Sequence, residues 1–251
     1  MLKIIAMLSL MLFGLTTNVS ISAAPYGAVD NPARSAADRE RDKTSKPNAV
    51  LDFIGVKPGM TVLDLFAGGG YYSELLSYAV NPDGRVISHT NATYESITGE
   101  EAAERFKDGR LPNVSRLVKE INMLELEASS LDMVLMVMIY HDVYFTADYW
   151  PKVDRDNFFR QIRESLKPGG VLVVIDHAAI ADTGMSAAQN LHRIDEVFAK
   201  QDIESAGFVF DSASEVLRNP SDARTLTVFN GAIRKKTDRF VYRFIKNTSF
   251  N

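Results

Sequence analysis

The feature that most narrows the fold is a short apolar run that ends abruptly on glycine. Residues 61–66 read Thr-Val-Leu-Asp-Leu-Phe, and Ala67-Gly68-Gly69-Gly70 follows. A run of this length and character suits a strand buried on both faces of a sheet. Glycines at its end allow backbone angles closed to other residues, and they let a ligand approach the main chain. An ordinary strand-to-helix turn has the same composition, so the glycines alone do not decide between ligand and turn.

The pattern repeats along the chain. Strands are expected at 61–66, 85–89, 114–121, 133–139 and 171–175, with short final strands at 208–210 and 225–229. Helices are expected at 33–43, 49–54, 71–80, 98–106, 156–166 and 189–206, separated by turns such as Asn81-Pro82-Asp83-Gly84 and Lys167-Pro168-Gly169-Gly170. Strands that alternate with helices need crossover connections, which give a parallel sheet covered on both sides. The expected class is therefore α/β: a Rossmann-like, doubly wound sheet of about seven mostly parallel strands with helices on both faces. A chain of 251 residues without internal repeats suits one such domain.

The start of the chain is of another kind. Lys3, an apolar run over residues 4–15 and small residues up to Ala24 have the pattern of a secretory signal peptide. An uncleaved membrane anchor is the alternative, although the run is short for a bilayer. The expected organisation is a signal peptide at 1–24, a polar leader with a short helix at 25–48 and the catalytic-type domain at 49–251, in a secreted or periplasmic protein. There is no cysteine, so there is no disulfide. A net charge of −4 offers no pull towards nucleic acid or anionic lipid. The expected partner is a small-molecule substrate, with no nucleic acid and no stable membrane insertion after cleavage.

Val62-Leu63-Asp64-Leu65-Phe66-Ala67-Gly68-Gly69-Gly70 resembles the first motif of the class I S-adenosylmethionine (SAM) dependent methyltransferases. Asn81 to Val86, Ser130 to Val134 and Leu166 to Leu172 resemble later segments of that family, in the right order. The whole is most similar to exported bacterial methyltransferases. The resemblance implies SAM as cofactor, with Asp64, Ala67, Gly68, Gly69 and Gly70 around its amino acid portion. It implies Asn122 and Met123 as adenine neighbours. The acidic residue that usually holds the ribose is absent, and Thr90 or Asn91 is left to hydrogen-bond it. Phe66 stands where the family has its first glycine, so the reading requires that its ring leave room for the nucleoside. A dinucleotide is the rival ligand, but Ser73 occupies the third position of the Gly-x-Gly-x-x-Gly pattern such cofactors use.

His89, His141 and His177 each fall at the carboxyl end of an expected strand, where doubly wound folds build their sites. His141 and Asp142 are the candidate catalytic pair, with His141 as a base for an acceptor that must lose a proton. Tyr140, His177 and His192 are candidates for the acceptor side, His192 from a helix that also carries Asp195. Asp142 and Asp176 could together hold a divalent metal, as oxygen ligands on neighbouring loops. Structural hydrogen bonding is the alternative for each histidine, and a salt-bridged solvent face is the alternative for His192. A non-catalytic SAM-binding protein of the same fold remains open.

Overall fold

The computed structural model describes residues 26–150 and 152–250, so the expected signal peptide lies outside the described residues. Helices α1 (Tyr26–Val29), α2 (Ala36–Ser45) and α3 (Pro47–Ile54) come first. Then come β1 (Thr61–Leu65), α4 (Tyr71–Val80), β2 (Arg85–Thr90), α5 (Ala92–Phe106), β3 (Val114–Val118) and β4 (Leu131–Val137). The chain continues through α6 (Arg155–Ser165), β5 (Leu166–His177), α7 (Ala188–Leu191), α8 (Glu196–Ser205), β6 (Phe208–Ser214) and β7 (Arg239–Lys246).

The seven strands lie in the order β3-β2-β1-β4-β5-β7-β6. Strands β1 to β5 pair in parallel, while β7 runs antiparallel to both β5 and β6. The chain steps outward from β1 to β3 and then returns to lay β4 beside β1. Strand order reverses there, and the crevice beyond the carboxyl ends of β1 and β4 is where such a sheet receives ligands.

Alternation along the strands fixes which face each side chain meets. Val62, Met133, Leu135 and Val173 pack against Val50, Leu51 and Ile54 of α3 and Leu75 and Leu76 of α4. Leu63, Leu65, Val134, Met136 and Val174 pack on the other face against Phe158, Phe159 and Ile162 of α6 and Ile203 of α8. Each such side chain contributes roughly 1.5–3 kcal/mol on burial, so a register slip would lose far more than any local propensity could return.

Four expectations need correction. The polar leader is built into the domain: Ala28 and Val29 join the core, and buried Arg34 and Asp38 pair with Asp42 and Arg105. Helix α5 begins at Ala92, six residues before Thr98, because Asn91 caps it by accepting the Tyr94 N–H. The long helix expected at 189–206 is two helices, split where His192 turns left-handed (φ 52°) and Asp195 caps α8. Residues 225–229 form no strand. The last strand is β7, whose Phe240, Tyr242 and Phe244 face one core while Val241 faces the other. No helix of the described residues is long and apolar enough to cross a membrane.

Candidate active site

Just past β1 stands Phe66, which has a left-handed backbone (φ 55°), and the chain then bends through Gly68 (φ 56°) and Gly70 (φ 80°) into α4. The bend is tied down by the Ala67 N–H on the His89 carbonyl at 2.8 Å and the Gly70 N–H on the Ala67 carbonyl at 3.0 Å. Its outer surface is bare enough for close approach, and α5 is what approaches. A Cβ added at Gly69 would lie 2.1 Å from the Glu101 carboxyl carbon, and one at Gly70 would lie 2.7 Å from the Phe106 ring. Arg105 holds α5 there. Its Nε donates to the Gly69 carbonyl, and its guanidinium bridges Asp38 and Glu74, all three side chains being nearly buried.

Beside the bend the Phe66 ring packs on His89 at 4.8 Å and on Tyr94 and Trp150 at 5.5 Å each. It is 5% exposed. In this conformation the space a nucleoside would need beside the glycines is therefore filled by rings. The polar complement for SAM is nonetheless present. The main chain of residues 68–70 is free of Cβ atoms, and Asn91 Nδ2 is buried without a hydrogen-bond partner among the described residues, a donor suited to a ribose hydroxyl. The groups fit the cofactor; the room does not while α5 and Tyr94 lie where they are.

The other expected cofactor residues are placed variously. Asp64 is buried and accepts from Ser73 Oγ at 2.7 Å; burial, opposed by that hydrogen bond, raises its pKa to about 6. Thr90 is buried at the end of β2, where its carbonyl accepts the Lys119 N–H. Asn122 does not face the crevice: its side chain binds the Lys152 carbonyl and the Asp154 N–H and so pins the approach to α6. Met123 is exposed and lines a hollow of about 350 Å³ with Ala92, Val118, Lys119 and Glu120.

On the β4 side, Met138 breaks the strand with a left-handed backbone, and a tight turn over Tyr140–Val143 follows, wholly buried. Asp176, at the end of β5, organises this turn. It accepts the His141 backbone N–H at 2.7 Å and its Nδ1–H at 2.8 Å, while also accepting the His177 N–H at 2.7 Å. Both oxygens are thus engaged, and Asp176 does not meet Asp142 in a two-carboxylate metal site as the sequence suggested. What Asp142 does meet is His141 Nε2 at 3.3 Å and His192 Nδ1 at 3.5 Å. Burial depresses the His141 imidazolium, but Asp176 and Asp142 outweigh it and lift its pKa to about 9. Asp176 thus fixes the proton on Nδ1, and Nε2 is the ring nitrogen turned towards Asp142.

Four further residues stand otherwise than the sequence suggested. Tyr140 belongs to the core, with its hydroxyl on the Asp202 carboxylate. His177 gives its Nδ1 to Thr237 at 2.7 Å, and burial holds its pKa well below the usual value. His89 is structural: its Nδ1 accepts the Phe66 N–H, its Nε2 meets the Lys119 carbonyl, and burial lowers its pKa to about 4. His192 has left the expected helix face, since Asp195 turns away to cap α8. Tyr94 and Trp150 were not singled out from sequence, yet they join the two halves. The Tyr94 ring lies on Phe66 while its hydroxyl donates to Asp142 Oδ2 at 3.3 Å, and Trp150 Nε1 donates to the Asp142 carbonyl at 3.1 Å.

A sheet of this order with a glycine bend after its first strand defines a methyltransferase-type fold, and the comparisons agree. Residues 56–231 match a family described as a methyltransferase domain, and the chain belongs to that family. A SAM dependent methyltransferase from Aquifex aeolicus shares the fold, with a TM-score of 0.61, 22% identity, and 88% of this chain and 98% of that one covered. One from Mesorhizobium loti is similar with a TM-score of 0.57 and 12% identity, over 82% of this chain and 100% of that one. Among curated proteins, an uncharacterized 37.1 kDa protein in transposon TN4556 of Streptomyces fradiae is 31% identical over 52% of this chain, and the match spans 34% of that protein. The ubiquinone/menaquinone biosynthesis C-methyltransferase UbiE of Hahella chejuensis is 24% identical over 70% of this chain and 67% of its own length.

Proposed function

We infer that this protein is a SAM-dependent methyltransferase whose acceptor is a small molecule seated between the triglycine bend and the His141–Asp142–His192 cluster. Tyr94 carries the reading, because one side chain forms the wall of both halves: ring against the bend, hydroxyl on the cluster. SAM bound there supplies an electrophilic methyl group. The chain's own residues do the rest. The bare main chain of Gly68 to Gly70 admits the cofactor, Asn91 Nδ2 offers a donor to its ribose, and His141 with Asp142 fixes the polar atoms of the acceptor. Buried rings around the bend exclude water. Mild acidity and the absence of a basic stripe support a small acceptor over nucleic acid.

Access requires α5 to swing away from the glycines. Ala102 is the only fully buried residue of this helix, so apart from the Tyr94 ring and the Arg105 ion pairs little opposes the movement. Calorimetry with SAM and with S-adenosylhomocysteine tests the reading: micromolar binding of either supports it, and binding of neither removes it. Transfer of a tritiated methyl group to extracted metabolites then separates an enzyme from a protein that binds without turnover. That second reading is favoured by the ring-filled hollow. Export, expected from the first 24 residues, would place the acceptor outside the cytoplasm; fractionating cells that express the full chain tests this.

A further inference from the structure

We propose that His141 Nε2, Asp142 Oδ1 and His192 Nδ1 form a site for one divalent transition-metal ion, zinc being the best match. The three atoms stand 3.3 Å (His141 to Asp142), 3.5 Å (His192 to Asp142) and 3.3 Å (His141 to His192) apart. Zinc holds nitrogen and oxygen at about 2.0–2.2 Å, and a tetrahedral angle then separates any two ligands by about 3.4 Å. Octahedral magnesium, at about 2.0–2.1 Å, would bring neighbouring ligands to about 2.9 Å and prefers oxygen throughout. The triangle has the spacing and the nitrogen content of the first ion.

The site has the features that separate a metal centre from a chance cluster. Asp142 Oδ1 is buried and has no hydrogen-bond partner among the described residues, although two imidazole nitrogens lie close to it. A buried carboxylate oxygen left unpaired is costly unless a cation or donor compensates it. Its other oxygen accepts from Tyr94, which fixes the orientation of the carboxylate. His141 presents Nε2 because Asp176 takes the Nδ1 proton, the outer-shell arrangement that orients metal-binding histidines. His192 is clamped between Phe145 and Phe229, each ring centroid 4.8 Å away, on a backbone that is left-handed at that one residue.

Among the described residues no other group of three or more His, Asp or Glu side chains converges in this way. With no cysteine and four histidines in the whole chain, there is little to compete for a soft cation. Three protein ligands leave a fourth position, as in zinc sites that bind water or substrate. The His192 side chain is 20% exposed and opens that position to solvent, so a hydroxyl or thiol of the acceptor can reach it. Binding of the ion itself does not depend on the methyl-transfer reading.

The test uses the full chain without a polyhistidine tag, stripped with dipicolinate and titrated with zinc by calorimetry. About one equivalent should bind, and His192→Ala should weaken binding at least tenfold with an unchanged circular dichroism spectrum. Asp176→Asn, which leaves all three ligands in place, should weaken it about 10–100-fold, as loss of an outer-shell partner does. Cobalt in place of zinc should give the intense visible bands of a four-coordinate ion. No zinc uptake by the stripped wild-type chain, wild-type affinity in His192→Ala, or the weak spectrum of six-coordinate cobalt would each overturn the proposal.

Discussion

Asp64 lies in the middle of the sheet with one hydroxyl for company, and its pKa is raised to about 6 by burial. A carboxyl whose folded pKa exceeds its unfolded one binds its proton more tightly in the native state. Its contribution to stability is therefore present at low pH and falls as pH rises from about 4 to about 6. Asp64→Asn does not titrate, so urea unfolding of the two proteins should diverge in the variant's favour across that window, by up to about 3 kcal/mol. Parallel curves would show that Asp64 is solvated. Phe66→Gly is the companion experiment. It relieves a left-handed backbone but empties a ring-lined space, so the variant should lose about 2–4 kcal/mol of stability. It should also bind SAM more tightly, since the hollow is then open; an unchanged or weaker affinity would show that the ring is no obstacle. At this scale the glycine bend was legible, because backbone angles depend on local sequence. The partners of His141 and His192 were not, because their meeting depends on where β5 and the helix break place them.

Helix α5 decides access at the next scale. Glu101→Ala removes the carboxylate lying on Gly69 while touching no core residue, so stability should change by less than about 0.5 kcal/mol. Amide exchange over residues 92–106 should quicken, and SAM should bind more tightly. The chain's one tryptophan, Trp150, stacks on Phe66 and Tyr94, so its fluorescence should shift when SAM or S-adenosylhomocysteine displaces those rings. A titration that leaves the emission unchanged despite calorimetric binding would place the cofactor elsewhere. Elements were read well where a period is long and its ends are marked, as in α4 and β1. They were misread where a cap outranks the pattern: Asn91 starts α5 early, and Asp195 restarts a helix after His192 has ended one. Strand β7, Arg-Phe-Val-Tyr-Arg-Phe-Ile-Lys, is buried on both faces along its first half and so lacks the alternation that marks a half-exposed strand, and the expected last strand at 225–229 lies before it in the chain.

At the scale of the molecule, the alternation of strands and helices predicts the sheet but not its last antiparallel pair, which no crossover helix announces. Nor does composition reveal that the charged stretch before the sheet belongs to the body. Its charges look solvated in sequence and become buried only because Arg105 comes from far along the chain to meet them. A protein beginning at residue 48 would leave Arg105 without Asp38, and a broken buried pair costs about 3–5 kcal/mol. Its melting temperature should fall by about 10 °C, with retention of the full value marking the segment as dispensable. The guanidinium of Arg105 also grips a backbone carbonyl of the bend and a carboxylate of α4. Helix α5 cannot lift away from the bend unless that knot is untied. The N-terminal segment therefore acts as a counterweight on the cofactor's door, and tension applied to it would be felt at Gly69.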